Sequence, residues 1–387
     1  MLFVSAFMGG DHGTAKSARD FLRAMLATVP RVYLASPRSE EFPRTMCDRA
    51  LSTPIWFGGP AGARLADRIV DWRPGQLLGI FRDRSIVRRL RQAARKQTVI
   101  VNGWASYDYW QRMAHGFEGR KVMVVRESPR HFAGTDRDTR VRELVLGLAA
   151  FDALIFVSDR GRQEWLEFDE LAGKQTYHLP NCCEEEAVAS MLALDRDAVR
   201  ASYGFGVDEF VVLCPGTIEH RKGQDLLVDL LPDLAKVIPH VRVVFVGDPA
   251  TEWGVQLVRH VTQGPGAFGS TYMRSRPHIL DLLYAADVLA FPSRAEAMPR
   301  TILEAMALGT PVVAAAVDGV SELLEHARSG ILFPPDDKDG LLQGLVAIAE
   351  NRQGAAELAD NGRRRYWAHF SRRHQFDRLA EILDHVR

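Results

Sequence analysis

The chain has 387 residues, 47% apolar and 25% charged, a balance that suits a soluble enzyme of two ordinary domains and excludes disordered and fibrous classes. Forty-nine basic residues match forty-nine acidic ones, so no overall charge drives binding to nucleic acid. The four cysteines, Cys47, Cys182, Cys183 and Cys214, show neither metal-ligand nor disulfide-framework spacing, which fits a reducing, cytoplasmic setting.

The first apolar run is short for a signal peptide and lacks a basic leader, so it reads as a buried strand over residues 2–7. No apolar segment approaches the ~20 residues that span a bilayer; any membrane contact would be peripheral, at the inner face. Gly9, Gly10 and Gly13 form a Gly-rich turn before a helix over 15–27. It is either a plain strand-to-helix turn or a place where a ligand meets backbone. Further strands are predicted over 31–35, 98–102, 121–126 and 153–158, with helices over 86–95 and 141–150. Residues 38–83 are irregular and rich in Pro and Gly, and give no assignment. The basic run 82–91 reads as the polar face of a helix; its alternative is a surface for anionic lipid or an anionic acceptor.

Leu179-Pro180-Asn181 closes this half, and the acidic stretch 182–194 reads as a linker. A second alternation follows. Strands are predicted over 210–214, 242–246, 288–291 and 311–315. Helices are predicted over 197–203, 223–237, 279–284, 299–307, 320–325 and 339–351, and the charged tail 355–386 is helical by pattern. Strands alternating with helices imply parallel sheets covered on both faces. The expected fold class is α/β, two Rossmann-like doubly wound domains facing a cleft, with ligands at the carboxyl ends of the strands. The expected domains are 1–185 and 186–365, with a C-terminal helix over 366–387 that packs back on the first domain.

The strongest local feature is the segment 296–314, Glu296-Ala-Met-Pro-Arg-Thr-Ile-Leu-Glu304 followed by Ala-Met-Ala-Leu-Gly309-Thr-Pro311-Val-Val-Ala. Glu296 lies in a loop after a strand. Pro299 suits the first turn of a helix, where its missing N–H costs nothing, and Gly309 stops that helix. The helix start around Met298, Pro299, Arg300 and Thr301 presents backbone N–H groups and a positive dipole end to a phosphate. Eight positions separate Glu296 from Glu304, enough to serve two ends of one extended ligand, sugar hydroxyls at one and ribose hydroxyls at the other. Upstream, Gly216 and the pair Arg221-Lys222 follow another strand, and adjacent cations there can neutralise a diphosphate leaving group. Taken singly, such glutamates and such an Arg-Lys pair are usually solvated surface charges.

Together these motifs resemble the E-x7-E and Gly-x4-Arg-Lys-Gly segments of retaining GT-B glycosyltransferases of the large family-4 type, the glycosyl transferases group 1. Asp318-Gly319-Val320-Ser321-Glu322 resembles that family's Gly-Gly-x-x-Glu turn, with Asp318 in place of the first glycine. Gly330-Ile-Leu-Phe-Pro-Pro resembles its Gly-x-Leu-x-Pro turn, and Leu179-Pro180-Asn181 its Pro-Asn-Gly, with Cys182 for the glycine. The resemblance covers residues 210–335 and is thin before 151. It implies that Gly13 lies near the sugar and donor phosphate. It also implies that Glu127 or His131, after the strand over 121–126, faces the reacting sugar. Ser158 is either a turn residue or an acceptor contact.

The implied activity is transfer of a sugar from a nucleoside diphosphate sugar to a hydroxyl of a glycan, a lipid-linked acceptor or a small molecule, with retention. Arg221 and Lys222 would carry the leaving-group charge, Glu296 the sugar and Glu304 the ribose. No cofactor is expected. No Asp-x-Asp triplet follows a strand, and the pair Asp336-Asp337 reads as helix-capping material, so no catalytic metal is expected. The rivals are a sugar-phosphate synthase or phosphorylase that uses Arg126 and Arg130 on a phosphorylated acceptor, and a non-catalytic scaffold of the same fold. A dehydrogenase is excluded because no full Gly-x-Gly-x-x-Gly follows a strand.

Overall fold

A computed structural model describes residues 1–5, 13–28, 33–35, 95–132, 137–263, 269–276 and 279–386. The chain divides into two compact units, Met1–Pro180 with Gln375–Arg387, and Asn181–His374.

Among the described residues the first unit has a six-stranded sheet. Its strands are β1 (Leu2–Ser5), β2 (Tyr33–Ala35), β3 (Val99–Asn102), β4 (Lys121–Val125), β5 (Ala153–Phe156) and β6 (Gln175–His178). Their order is β2-β1-β3-β4-β5-β6, and every pair is parallel. All of β3 and β5, and all of β4 but Lys121, are buried, as strands covered on both faces require. The order reverses between β1 and β3, the point where an open α/β sheet leaves a crevice at its carboxyl edge. Helices Gly13–Thr28, Trp104–Met113, Arg137–Ala149 and Asp159–Leu166 belong to this unit. Helix Arg372–Val386 joins it from Gln375 onward, burying Leu379, Ile382, Leu383 and Val386 on one stripe. Thr98 Oγ1 donates to the Val386 carbonyl at 3.0 Å, and Gln375 Nε2 to the Pro180 carbonyl at 2.8 Å. Residues 86–94 of the helix predicted over 86–95 and the loop 9–12 lie outside the described residues, and Arg95 itself stands in a turn. Gly13 is the first residue of helix Gly13–Thr28.

The second unit repeats the design with β7 (Phe210–Pro215), β8 (Val241–Val246), β9 (Ser270–Met273), β10 (Val288–Phe291), β11 (Val312–Ala315) and β12 (Ile331–Phe333). These form a parallel sheet in the order β12-β11-β10-β7-β8-β9. Strands β7, β10 and β11 are wholly buried. The order reverses between β10 and β7. Residues 182–194, expected as a linker, contain helix Glu185–Leu192 instead. Its acidic first turn, Glu185 and Glu186, complements the positive end of the helix dipole, so an acidic run marked a helix start. Helix Arg352–His369 is polar on average, yet its Tyr366 is fully buried: the hydroxyl accepts from the Cys183 thiol at 3.0 Å and donates to Glu185 at 3.1 Å. Among the described residues no helix is long and apolar enough to cross a membrane.

Candidate active site

The site in the second unit is built at the carboxyl ends of β7 and β10. Gly216 leaves β7 at φ 141° and Gly247 leaves β8 at φ 155°. A Cβ on Gly247 would fall 1.9 Å from the Gly216 carbonyl oxygen, so only glycine permits this approach. A 3-10 turn, His220–Lys222, then closes at Gly223 with φ 68°. A Cβ there would fall 2.0 Å from the Pro292 carbonyl oxygen. The missing side chain lets the cationic turn rest directly on the loop that follows β10.

That contact assembles an ion cluster. Lys222 Nζ donates to Glu296 Oε1, and Arg221 donates to the same oxygen at 3.3 Å. Arg221 also donates to the Ala295 carbonyl at 2.9 Å and to Glu219 at 2.6 Å. The Lys222 ammonium lies 5.6 Å from the centroid of the Phe291 ring. Glu296 is buried, its N–H donates to Asp318 Oδ2 at 3.1 Å, and its carbonyl accepts from Gly319 N–H at 3.3 Å. Asp318, which stands where the resembling family has glycine, thus adopts φ 34° and braces the Glu296 backbone.

The helix predicted over 299–307 runs from Arg300 to Leu308, with Pro299 at its N-cap and Gly309 ending it at φ 77°. No side chain caps its start, and the first-turn N–H groups of a helix have no intrahelical partner. Met298 precedes it, its carbonyl accepting from Asn181 Nδ2 at 2.9 Å. Arg300 and Glu304 are buried, one turn apart, and Thr301 is half-buried. The structure therefore brings Gly216, Arg221, Lys222 and Glu296 into one cluster. Met298, Pro299, Arg300, Thr301 and Glu304 lie on the segment that leads away from it. Glu219, Asp225, Arg294 and Asn181 are also tied to this segment and to the cationic turn. Asp225, Arg294 and Asn181 escape a sequence reading because their partners are distant in the chain; Glu219 lies two positions from Arg221 and carries no motif of its own. Asp337, expected as capping material, caps helix Lys338–Glu350 by accepting from Gly340 N–H at 2.9 Å. Among the described residues no group of three or more His, Cys, Asp or Glu could hold a metal ion.

In the first unit a polar row follows the carboxyl edge of the sheet. Asn102, at the end of β3, donates to Ser5 Oγ at 3.2 Å and accepts from Arg126 Nε at 2.8 Å. Glu127 follows Arg126, and its carbonyl accepts from Trp165 Nε1 at 2.8 Å. The chain leaves β3 at Gly103 with φ 74°, and a Cβ there would lie 3.7 Å from Glu127 Oε1. His131 sits in the 3-10 turn Pro129–Phe132, where its Nδ1 accepts from Ser128 N–H at 3.1 Å. Ser158 is the N-cap of helix Asp159–Leu166, accepting from Gly161 N–H at 2.9 Å, a turn residue. Arg130 pairs with Glu164 at 3.1 Å.

Burial pushes the Glu127 carboxyl up to about 7, against the opposing pull of backbone N–H groups and the Arg126 charge. The ordinary value is 4.5. Such a group favours the folded state in its protonated form, so its contribution is complete below 4.5 and is lost as pH rises through about 7. Glu127→Gln, neutral at every pH, should therefore melt higher relative to the parent at pH 8 than at pH 5. Thermal melts of the two proteins at both pH values check this; an equal difference at both would show that the carboxyl is not shifted.

Residues 195–365 match the glycosyl transferases group 1 family. The D-inositol 3-phosphate glycosyltransferase of Mycobacterium avium is 31% identical over 190 residues, 48% of this chain and 44% of the relative. A GDP-mannose-dependent monoacylated alpha-(1-6)-phosphatidylinositol monomannoside mannosyltransferase of Corynebacterium glutamicum is 27% identical over 214 residues, 53% of this chain and 55% of the relative. The chain thus spans about half the length of the curated relatives it matches. Among solved structures, Anabaena HepE in complex with UDP and glucose superposes with a TM-score of 0.75 at 22% identity, covering 99% of this chain and 98% of that one. Sucrose-phosphate synthase from Thermosynechococcus elongatus gives 0.77 at 20% identity, with the same coverage. Two parallel doubly wound sheets, a charged cluster at the switch point of the second and these likenesses agree: the chain has the GT-B fold, and its residues 195–365 match the glycosyl transferases group 1 family.

Proposed function

We propose that the chain is a retaining, metal-independent glycosyltransferase that moves a sugar from a nucleoside diphosphate sugar to a hydroxyl acceptor in glycan, polysaccharide or glycolipid synthesis. The observation that carries this reading is the convergence of Arg221 and Lys222 on Glu296 where the second sheet reverses its order. As the glycosidic bond to the donor breaks, negative charge grows on the departing phosphate and positive charge on the sugar ring. Arg221 and Lys222 stabilise the first. Glu296 holds the sugar hydroxyls, Glu304 the ribose, and the start of helix Arg300–Leu308 takes a phosphate. The acceptor hydroxyl attacks the face that the phosphate leaves, and its proton passes to that phosphate. Glu127 and His131 are the two first-unit candidates for a group that acts on the sugar. The acceptor is a glycan, a lipid-linked sugar met peripherally at the cytoplasmic face, or a small molecule. UDP in the HepE complex and the GDP-mannose dependence of the Corynebacterium relative support a nucleotide-sugar donor.

The sugar-phosphate synthase reading needs cations for a phosphorylated acceptor. Its candidates are Arg126, which bonds to Asn102, and Arg130, which pairs with Glu164. The test is release of nucleoside diphosphate from a panel of UDP-, GDP- and other nucleotide sugars, with and without excess chelator. Turnover should persist in the chelator, because Arg221, Lys222 and the helix start supply the positive charge. Folded protein that neither binds nor turns over any member of the panel would sink the proposed activity. Loss on chelation, restored by magnesium or manganese, would sink the metal-independent mechanism alone.

A further inference from the structure

We infer that Arg294 is a positioning residue, one that sets the aim of Arg221 and Lys222 without itself touching the donor. This rests on the reading that those two cations bind the donor diphosphate. Arg294 lies two positions before Glu296 and bonds to four residues in three segments at once. Its backbone N–H donates to the Arg221 carbonyl at 2.7 Å, and its guanidinium to the His220 carbonyl. The guanidinium forks onto Asp225, in the first turn of helix Gln224–Val237, at 2.9 and 2.8 Å. Its Nε donates to Asp336 at 2.6 Å. The side chain is only 18% exposed.

Two consequences follow from this geometry. The carbonyls of His220 and Arg221 are both held from the Arg294 side, so the 3-10 turn cannot rotate without breaking bonds to the Glu296 loop. In addition, Arg294 pairs with two carboxylates, Asp225 and Asp336, and so ties the loop before Glu296 to the helix that follows the cationic turn. Three nitrogens spread over one planar group reach the His220 carbonyl, both Asp225 oxygens and Asp336 at once; a lysine ammonium holds its donors on one atom and cannot span all of them.

The test compares full-length parent and Arg294→Lys by calorimetry with UMP and UDP, and with GMP and GDP. The parent should prefer the diphosphate of whichever series it binds. In Arg294→Lys that preference should shrink about tenfold or more, while monophosphate affinity and melting temperature stay close to the parent and kcat falls more than KM changes. Asp225→Asn, which breaks the fork from the other side, carries the same expectation and decides the matter where Arg294→Lys does not fold. An unchanged diphosphate preference overturns the inference. So does an equal loss for mono- and diphosphate, which a merely structural role would give. A parent with no diphosphate preference in either series overturns the phosphate-site reading itself, and this inference with it.

Discussion

Lys222→Ala should lower turnover on the order of 10²–10³-fold, the usual cost of deleting one group that stabilises charge in a transition state. The side chain is mostly buried, bonded to Glu296 and set near the Phe291 ring, so its ammonium is fixed before the reaction and needs little reorganisation. The fold should survive. Lys222 sits in a 3-10 turn whose shape is set by Gly223 and by the bonds of the backbone, not by its side chain. Glu296 also keeps Arg221 as a partner in the variant, so no buried carboxylate is stranded. Steady-state turnover beside a thermal melt separates the two effects. Activity within about twofold of the parent would remove Lys222 from the mechanism, and a collapsed melting temperature would make it a structural residue.

The same turn shows why part of this site was legible in the sequence and part was not. Strands β7 and β10 are continuous apolar runs buried on both faces, and the predicted strand over 288–291 coincides with Val288–Phe291. The edge strands β6, Gln-Thr-Tyr-His, and β9, Ser-Thr-Tyr-Met, are only partly buried and carry no such run, so no period marked them. Helix Trp104–Met113 was missed although Trp104, Tyr107 and Trp110 recur at helical spacing and pack on the core. Arg221, Lys222, Glu296 and Glu304 stood out because each pair lies close in the chain, in a recognisable spacing. Arg294 did not, since its carboxylate partners Asp225 and Asp336 are 69 and 42 positions away. Asn181 reaches across 117 positions to Met298. Asn102 and Ser5 meet only because β1 and β3 are neighbours in the sheet. Contacts of this kind are set by topology, and a local pattern carries no trace of them.

The two glutamates should fail differently. Glu304 lies on the buried face of helix Arg300–Leu308, while Glu296 sits in the ion cluster with Arg221 and Lys222. If Glu304 holds the ribose, Glu304→Gln should weaken free nucleoside diphosphate. A hydrogen bond to a buried charge is worth roughly 1.5–3 kcal/mol, and each 1.4 kcal/mol is about a factor of ten in affinity. A tenfold or greater loss is therefore expected. Glu296→Gln should act on turnover instead, because a nucleoside diphosphate carries the ribose but not the sugar. The ion cluster sharpens this expectation. Replacing Glu296 by a neutral amide removes the carboxylate that pairs with both cations, leaving Arg221 and Lys222 more positive toward a diphosphate, so nucleotide affinity should hold or rise as turnover falls. Calorimetry on the parent and the two variants, with UDP and with GDP, makes the comparison. If both variants bind the nucleotide alike, or if Glu296→Gln is the one that loses it, the donor does not lie along the Glu296–Glu304 segment with its sugar at Glu296.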